Sequence, residues 1–207
     1  AWSMPICTPT RVTLLTGQYP FRHGWTTHYD VPRQGGVGLR PDRFTTFARV
    51  LRDNGYSTVI GGKWQVNHLG KQPNVLKEHG FDEHCVWPGA EAGKPETEPR
   101  YWKGFLQANG KRGTAAYGPY SINEYLINFI QRHKDRPFLV YYPMLLTHGP
   151  HTVTPFNREK KPEGKTALYA GNVTYMDHLL GRLVAAVDKL GLKDKTMIVF
   201  TGDNGSA

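Results

Sequence analysis

The stretch DRFTTFARVLRDNGYSTVIGGK, residues 42–63, changes period in the middle. Phe44, Phe47, Val50 and Leu51 recur at helical spacing, and Gly55 stops the run. The spacing predicts a helix over about 42–54 and a strand over 57–61, with Gly62 and Lys63 just past the strand. The same order recurs downstream. A helix over about 121–133, carrying Ile122, Tyr125, Leu126, Phe129 and Ile130, precedes a strand-like run over 137–142. A long helix over about 167–190 carries Val173, Met176, Leu180, Leu183, Val184 and Val187. It ends at Gly191 and precedes a strand-like run over 196–201. Upstream, Thr8 is the expected N-cap of a helix over about 9–16, with Pro9 in the first turn, where proline is tolerated. Helix followed by strand, repeated, predicts an α/β fold: a mostly parallel central sheet with helices on both faces. Residues 73–119 are rich in Gly, Pro and charge and read as insertion loops. Residues 152–165 read as a further loop.

In open α/β sheets, ligands bind beyond the carboxyl ends of the strands. Gly62-Lys63, Thr147-His148 and Asp203-Asn204 each follow one of the three strand-like runs. Three polar clusters are therefore expected at one edge of the sheet.

The 207 residues suffice for one sizeable core. No run of 18 apolar residues is present, so no membrane-spanning helix is expected. The formal charge of +9, from 26 Lys and Arg against 17 Asp and Glu, favours anionic partners. The basic residues are scattered, and no zinc-finger spacing or RNA-binding signature accompanies them, so nucleic acid is not the expected partner. An anionic small molecule or polysaccharide fits the charge. Cys7 and Cys85 are the two cysteines. They do not make a disulfide framework, and a bridge between them stays open. Neither end has the look of a natural terminus, which reads as a segment of a longer protein.

Cys7-Thr8-Pro9-Thr10-Arg11 matches a Cys-x-Pro-Ser/Thr-Arg core. The match continues through Leu14, Thr16-Gly17, Tyr19-Pro20 and Arg22-His23-Gly24. In these residues the chain resembles the sulfatase family of the alkaline phosphatase superfamily. Three further segments resemble that family in the same order: Gly62-Lys63-Trp64, His148-Gly149-Pro150-His151 and Asp203-Asn204-Gly205. The resemblance implies that residues 1–207 are part of an N-terminal catalytic domain. Its first strand, with a pair of metal-binding aspartates, is expected before Ala1, and a smaller C-terminal subdomain after Ala207. It also favours a periplasmic, secreted or lysosomal location, which the residues themselves leave unknown. Taken singly, Cys7 would read as a buried thiol, His148 and His151 as loop histidines, and Asp203-Asn204-Gly205 as a turn. His79, His84, His133 and His178 read as structural or surface residues.

A nucleophile that attacks a sulfate ester must approach negative charge, so the site needs positive charge fixed in advance. Arg11, Lys63, a divalent cation and the N-terminal end of the helix after Cys7 would supply it. Asp203 and Asn204 offer hard oxygen ligands, suited to Ca²⁺ or Mg²⁺. The resemblance favours Ca²⁺ and adds residue 7 as a ligand. It also implies that a maturation enzyme oxidises Cys7 to formylglycine. One hydroxyl of the hydrated aldehyde attacks sulfur to give an enzyme-sulfate ester, and the other loses its proton and expels sulfate. Cys7, Arg11, Lys63 and His148 are the expected catalytic residues. Lys63, His148, Gln65, His68 and His151 are the expected substrate-binding residues, with His148 protonating the leaving oxygen.

One position departs from the family pattern, which has His two residues after the lysine. Here Gln65 stands there. Gln65 is the preferred equivalent, with His68, displaced by three residues, as the alternative. Two rival functions remain. One is a phosphonate or phosphate monoester hydrolase of the same superfamily. The other is a binding protein on the sulfatase scaffold that has lost catalysis.

Overall fold

The structure, a computed structural model, describes residues 4–29, 38–91, 93–160 and 162–205. Among these, the helices are α1 (Cys7–Thr16), α2 (Pro20–His23), α3 (Phe47–Asp53), α4 (Val75–Glu78), α5 (Gly118–His133) and α6 (Lys165–Lys189). The strands are β1 (Ser57–Lys63), β2 (Glu83–Trp87), β3 (Trp102–Ala108), β4 (Lys111–Tyr117) and β5 (Phe138–Tyr141). They form one mixed sheet in the order β4-β3-β2-β1-β5.

β1 pairs in parallel with β2 on one side and with β5 on the other, setting Val59 opposite Glu83 and Val140. All of its residues are buried, as expected for a parallel strand covered on both faces. Its side chains alternate between two cores. Val59, with Cys85 and Trp87 of β2, packs under Ile122, Leu126, Phe129 and Ile130 of α5 and Leu179 and Leu183 of α6. Ile60, with Val86, packs on the opposite face with Val12 and Leu15 of α1, Ala48 of α3, and Trp64 and Phe81. The sheet therefore has helices on both faces, as the α/β reading predicts. The parallel part is β2-β1-β5, and the other two pairings are antiparallel.

Four departures from the sequence reading have physical reasons. First, residues 73–119 contain α4, β2, β3 and β4 rather than insertion loops alone. β3 and β4 form a hairpin whose turn, Asn109-Gly110, has φ of 45° and 81°. Positive φ at both turn residues matches the right-handed twist of the paired strands, and Asn-Gly is the pair that adopts it most readily.

Second, the helix expected over 42–54 begins only at Phe47. Thr46 caps it: its Oγ1 accepts from Arg49 N at 3.2 Å and donates to His79 O at 2.5 Å. Phe44 stays buried ahead of the helix, while Val50 is half exposed.

Third, the buried stripe of α6 is rotated from the expected one. Asn172, Tyr175, Leu179, Leu183 and Val187 are buried, whereas Val173 and Val184 are exposed. Asn172 is held on that stripe by one side-chain bond, while its Oδ1 is buried without a partner among the described residues. Asn172 Nδ2 donates to Thr152 O at 2.7 Å, and the Tyr175 ring meets Tyr117 edge-on.

Fourth, residues 196–201 form no strand. Met197, Val199 and Phe200 are 86%, 77% and 63% exposed, because nothing among the described residues pairs with this segment.

Candidate active site

α1 presents Cys7 at its first position. The helix begins there rather than at Pro9, with Ile6 as an extended N-cap that makes no side-chain capping bond. Thr8, expected to be the cap, lies inside the first turn, where its hydroxyl accepts from Tyr29 N at 3.1 Å. The positive end of the helix dipole thus lies at residue 7. β1 delivers the second element. Gly62 has φ +125°, and its Cα lies so close to the chain after β5 that an added Cβ would sit 2.0 Å from Pro143 O. Lys63 N donates to that same carbonyl at 2.8 Å. The lysine is thereby fixed at the carboxyl end of the strand, as expected of an α/β site.

Lys63 is 3% exposed, and its Nζ donates to Cys7 Sγ at 3.3 Å. Burial, aided by the Arg11 charge, pulls its pKa from 10.5 down to about 8, while Cys7 opposes the shift. Arg11 is also buried. Its Nη1 donates to Lys63 O at 2.8 Å, and its Nη2 faces Asp203 Oδ2 at 3.9 Å. Gln65, at φ 51°, brings its Oε1 to 3.9 Å from Cys7 Sγ. Cys7 and Cys85 are both free thiols, so the open question of a bridge between them closes. Cys85 lies buried in β2, and burial raises its pKa to about 12.

His148 follows β5. Its pKa is lowered first by burial and then by the charge of Lys63. Its Nδ1 meets Arg100 Nη1 at 2.7 Å and Gly149 O at 2.6 Å. Arginine can only donate, so the first contact needs a bare Nδ1, and the second needs the opposite tautomer. A hydrogen bond from a charged donor is the stronger, which places the proton on Nε2.

The remaining expected residues fall in two groups. Asp203 joins the cluster through Arg11, and Asn204 lies beside it, donating its backbone N–H to Asp203 Oδ1 at 2.9 Å. His68 and His151 make other contacts. His68 Nδ1 accepts from Gly70 N at 3.1 Å and lies 4.0 Å from the Glu91 carboxylate. The His151 ring packs on Tyr169 of α6.

Two residues at the site carry no sequence signal. His28 Nδ1 lies 3.6 Å from Cys7 Sγ, and its Nε2 lies 2.9 Å from Gln65 Nε2. Arg100 stands with His148, its guanidinium 4.4 Å over the Trp87 ring. His28 reaches Cys7, and Arg100 reaches His148, only through the tertiary fold. The one available hint was the missing histidine at position 65, which leaves room for an imidazole from elsewhere.

Asp203 and Asn204 suit a hard cation in kind. They do not make a shell, because among the described residues no group of three or more His, Cys, Asp or Glu comes together. Ca²⁺ takes roughly six to eight oxygens.

A thiol at a helix N-terminus, held by a buried lysine that a buried arginine backs, marks an α/β site beyond a parallel strand that favours negative charge. The chain belongs to the sulfatase family: the Sulfatase family model matches residues 2–207. Formylglycine and a divalent metal are typical of that family. The N-acetylgalactosamine-6-sulfatase of Canis lupus familiaris is 31% identical, over 98% of this chain and 42% of its own length. Human arylsulfatase D is 26% identical, over 97% and 46%. The chain thus spans less than half the length of these relatives. Ps i-CgsB in complex with k-i-k-neocarrahexaose superposes with a TM-score of 0.73 at 24% identity, over 91% of this chain and 46% of that one. The phosphonate monoester hydrolase of Agrobacterium radiobacter superposes with a TM-score of 0.61 at 20% identity, over 97% and 53%. At these identities, the structural likenesses speak for the fold.

Proposed function

We propose that the protein carrying this chain hydrolyses sulfate esters of a carbohydrate, with residue 7 as nucleophile. The observation that carries the reading is Cys7 at the first position of α1, with Lys63 Nζ 3.3 Å from its sulfur. A buried cation, a second cation in Arg11 and a helix N-terminus all favour negative charge at one point. Lys63 holds the residue 7 side chain and faces a sulfuryl oxygen. Arg11 fixes Lys63 through its carbonyl and adds charge. His148 turns its Nε2–H toward the oxygen that leaves. Gln65 and His28 flank residue 7 and orient it.

Oxidised to formylglycine by a maturation enzyme, residue 7 supplies a hydroxyl nucleophile suited to a hard, anionic centre. Asp203 and Asn204 would hold a divalent cation, Ca²⁺ first and Mg²⁺ second, together with ligands that the described residues do not provide. The cation would neutralise charge on the sulfuryl group. Two similar proteins support a sulfated sugar as substrate: the N-acetylgalactosamine-6-sulfatase and the neocarrahexaose complex. The net charge of +9 agrees with an anionic substrate.

The test compares matched sulfate and phosphate monoesters of one sugar in the whole protein, with mass spectrometry of the residue 7 peptide. We expect the sulfate ester to be hydrolysed faster and residue 7 to carry an aldehyde. Preference for the phosphate or phosphonate ester would move the protein to the hydrolase class of the Agrobacterium neighbour. An unmodified thiol at full occupancy in active protein would overturn the proposed nucleophile.

A further inference from the structure

Arg100 lies immediately before Tyr101 and Trp102 at the start of β3, outside every segment that carries the family resemblance. It is half-buried, and its guanidinium stacks on Trp87 at the carboxyl end of β2. The stacking fixes the plane of the group and leaves its edge for hydrogen bonds. One edge donor goes to His148 Nδ1. The loop that bears His148 is pinned from the same side, because the Tyr101 hydroxyl is shared between the carbonyls of Leu145 and His148.

The rest of the guanidinium is uncommitted. Among the described residues, no carboxylate lies within ion-pair reach of Arg100, and no hydrogen bond other than that to His148 is made by its side chain. None of its nitrogens is sealed from solvent without a partner. A guanidinium carries five N–H donors, so most remain available. Withdrawing such a charge partly from water without a counter-ion is unfavourable, and the cost is offset once an anion arrives. Three other arginines near β2 and β3 differ: Arg112 pairs with Glu91, Arg132 pairs with Glu83, and Arg158, stacked on Trp102, is exposed to water. The electrostatic reach of Arg100 also coincides with the site. Its charge acts on Lys63 and His148, and Cys7 acts on it.

We propose that Arg100 is a further substrate-binding residue, whose remaining N–H donors take an oxygen of the anionic group that Lys63 and His148 also face. This rests on the proposed function, in which that group is the sulfuryl group of the ester. In that arrangement Lys63, His148 and Arg100 approach the anion from three separate strand ends, and Arg100 provides the planar fork that the others lack.

The experiment titrates inorganic sulfate calorimetrically into the whole protein as wild type, Arg100→Ala, Arg100→Lys, His148→Ala and the double variant His148→Ala/Arg100→Ala. Loss of a charge-assisted contact weakens binding by about tenfold or more. We expect that loss for Arg100→Ala in both the wild-type and the His148→Ala backgrounds, with part of it recovered by Arg100→Lys. A loss seen only when His148 is present would make Arg100 a support for His148 and overturn direct contact. No loss in either background, or a wild-type protein that binds no anion, would overturn the inference too. Inorganic phosphate, titrated in parallel, separates this from the wider reading. If the protein hydrolyses phosphate or phosphonate esters and not sulfate esters, the proposed function fails. The role of Arg100 is then decided by the same comparison made with phosphate.

Discussion

Gly62→Ala should be far more damaging than its size suggests. At φ +125° an L side chain is strained, and the added Cβ would stand 2.0 Å from Pro143 O and 2.8 Å from Pro143 C. The obstacle is backbone, so no side-chain rotation relieves it, and the chain after β5 must move by about 1 Å. That movement lengthens the bond from Lys63 N to the same carbonyl, now 2.8 Å. The costs are roughly 1–2 kcal/mol for the backbone conformation, about 1–3 for overpacking and about 1 for the hydrogen bond. Together they come to on the order of 3–6 kcal/mol, a large share of the roughly 5–15 kcal/mol that holds a typical fold. Urea unfolding of the whole protein, followed by tryptophan fluorescence and extrapolated linearly, measures the loss. Hydrolysis of a sulfate ester by the remaining folded protein should fall by about 100-fold, because Lys63 moves with Gly62. Gly181→Ala is the control: Gly181 is an exposed position inside α6 with nothing within 4 Å of an added Cβ. It should stabilise by roughly 0.5–1 kcal/mol. A Gly62→Ala protein within about 1 kcal/mol of wild type and still active would refute the claim that this close approach sets Lys63.

Burial holds His79 and His84 at about 4 instead of 6.5, so the unfolded chain binds more protons below pH 6.5. Glu83, drawn to about 2 mainly by Arg132, contributes stability above 4.5 and loses it as pH falls from 4.5 through 2. The melting temperature should therefore fall steadily from pH 7 to pH 4, and His79→Gln should flatten the part of that slope between 6.5 and 4. Gln65→Ala should cost at least about tenfold in kcat/KM on a sulfate ester, while His68→Ala, remote from Cys7 in its contacts, should mainly lower the melting temperature. The reverse pattern would place the displaced histidine at the site after all. His148→Ala should slow alkyl or sugar sulfates far more than activated aryl sulfates, whose leaving groups need little protonation; equal slowing would leave His148 as a sulfate binder only. Exhaustive removal of Ca²⁺ and Mg²⁺ should abolish turnover, and full activity of the stripped protein would remove Asp203 and Asn204 from a metal-binding role.

The readable parts of the sequence are those where one local rule governs. The apolar period of residues 122–130 became the buried face of α5, and Ser57 to Ile60 became a fully buried strand paired on both sides. The antiparallel half was equally readable in Asn109-Gly110, but the charge and glycine around that pair gave the segment the composition of a loop. Composition averages over a window, whereas a turn is decided by two residues. The face of α6 was misplaced for a related reason. Counting apolar residues alone omits Asn172, whose amide finds the Thr152 carbonyl and can therefore be buried. At the cluster around Cys7, Arg11 and Lys63 were readable because α1 and β1 carry them in a fixed pattern, with Gln65 two residues past the end of β1. His28 and Arg100 were not, since each arrives from a segment with no pattern of its own.

The same contrast applies to charge. The +9 total is spread over the chain, and surface charges of that kind act weakly and are screened within about 10 Å at 0.1 M salt. Arg11 and Lys63 differ in kind, being 6% and 3% exposed. Lys63 gives up part of its affinity for protons in order to stay there, chiefly to burial and then to Arg11. Such a pair is costly in an empty site and favourable around an anion. Cys7, and Asp203 at 3.9 Å from Arg11, offset only part of that cost. On the proposed function, the stability sacrificed in holding these cations together is recovered as affinity when a sulfuryl group binds, which is the preorganisation that attack on an anion requires.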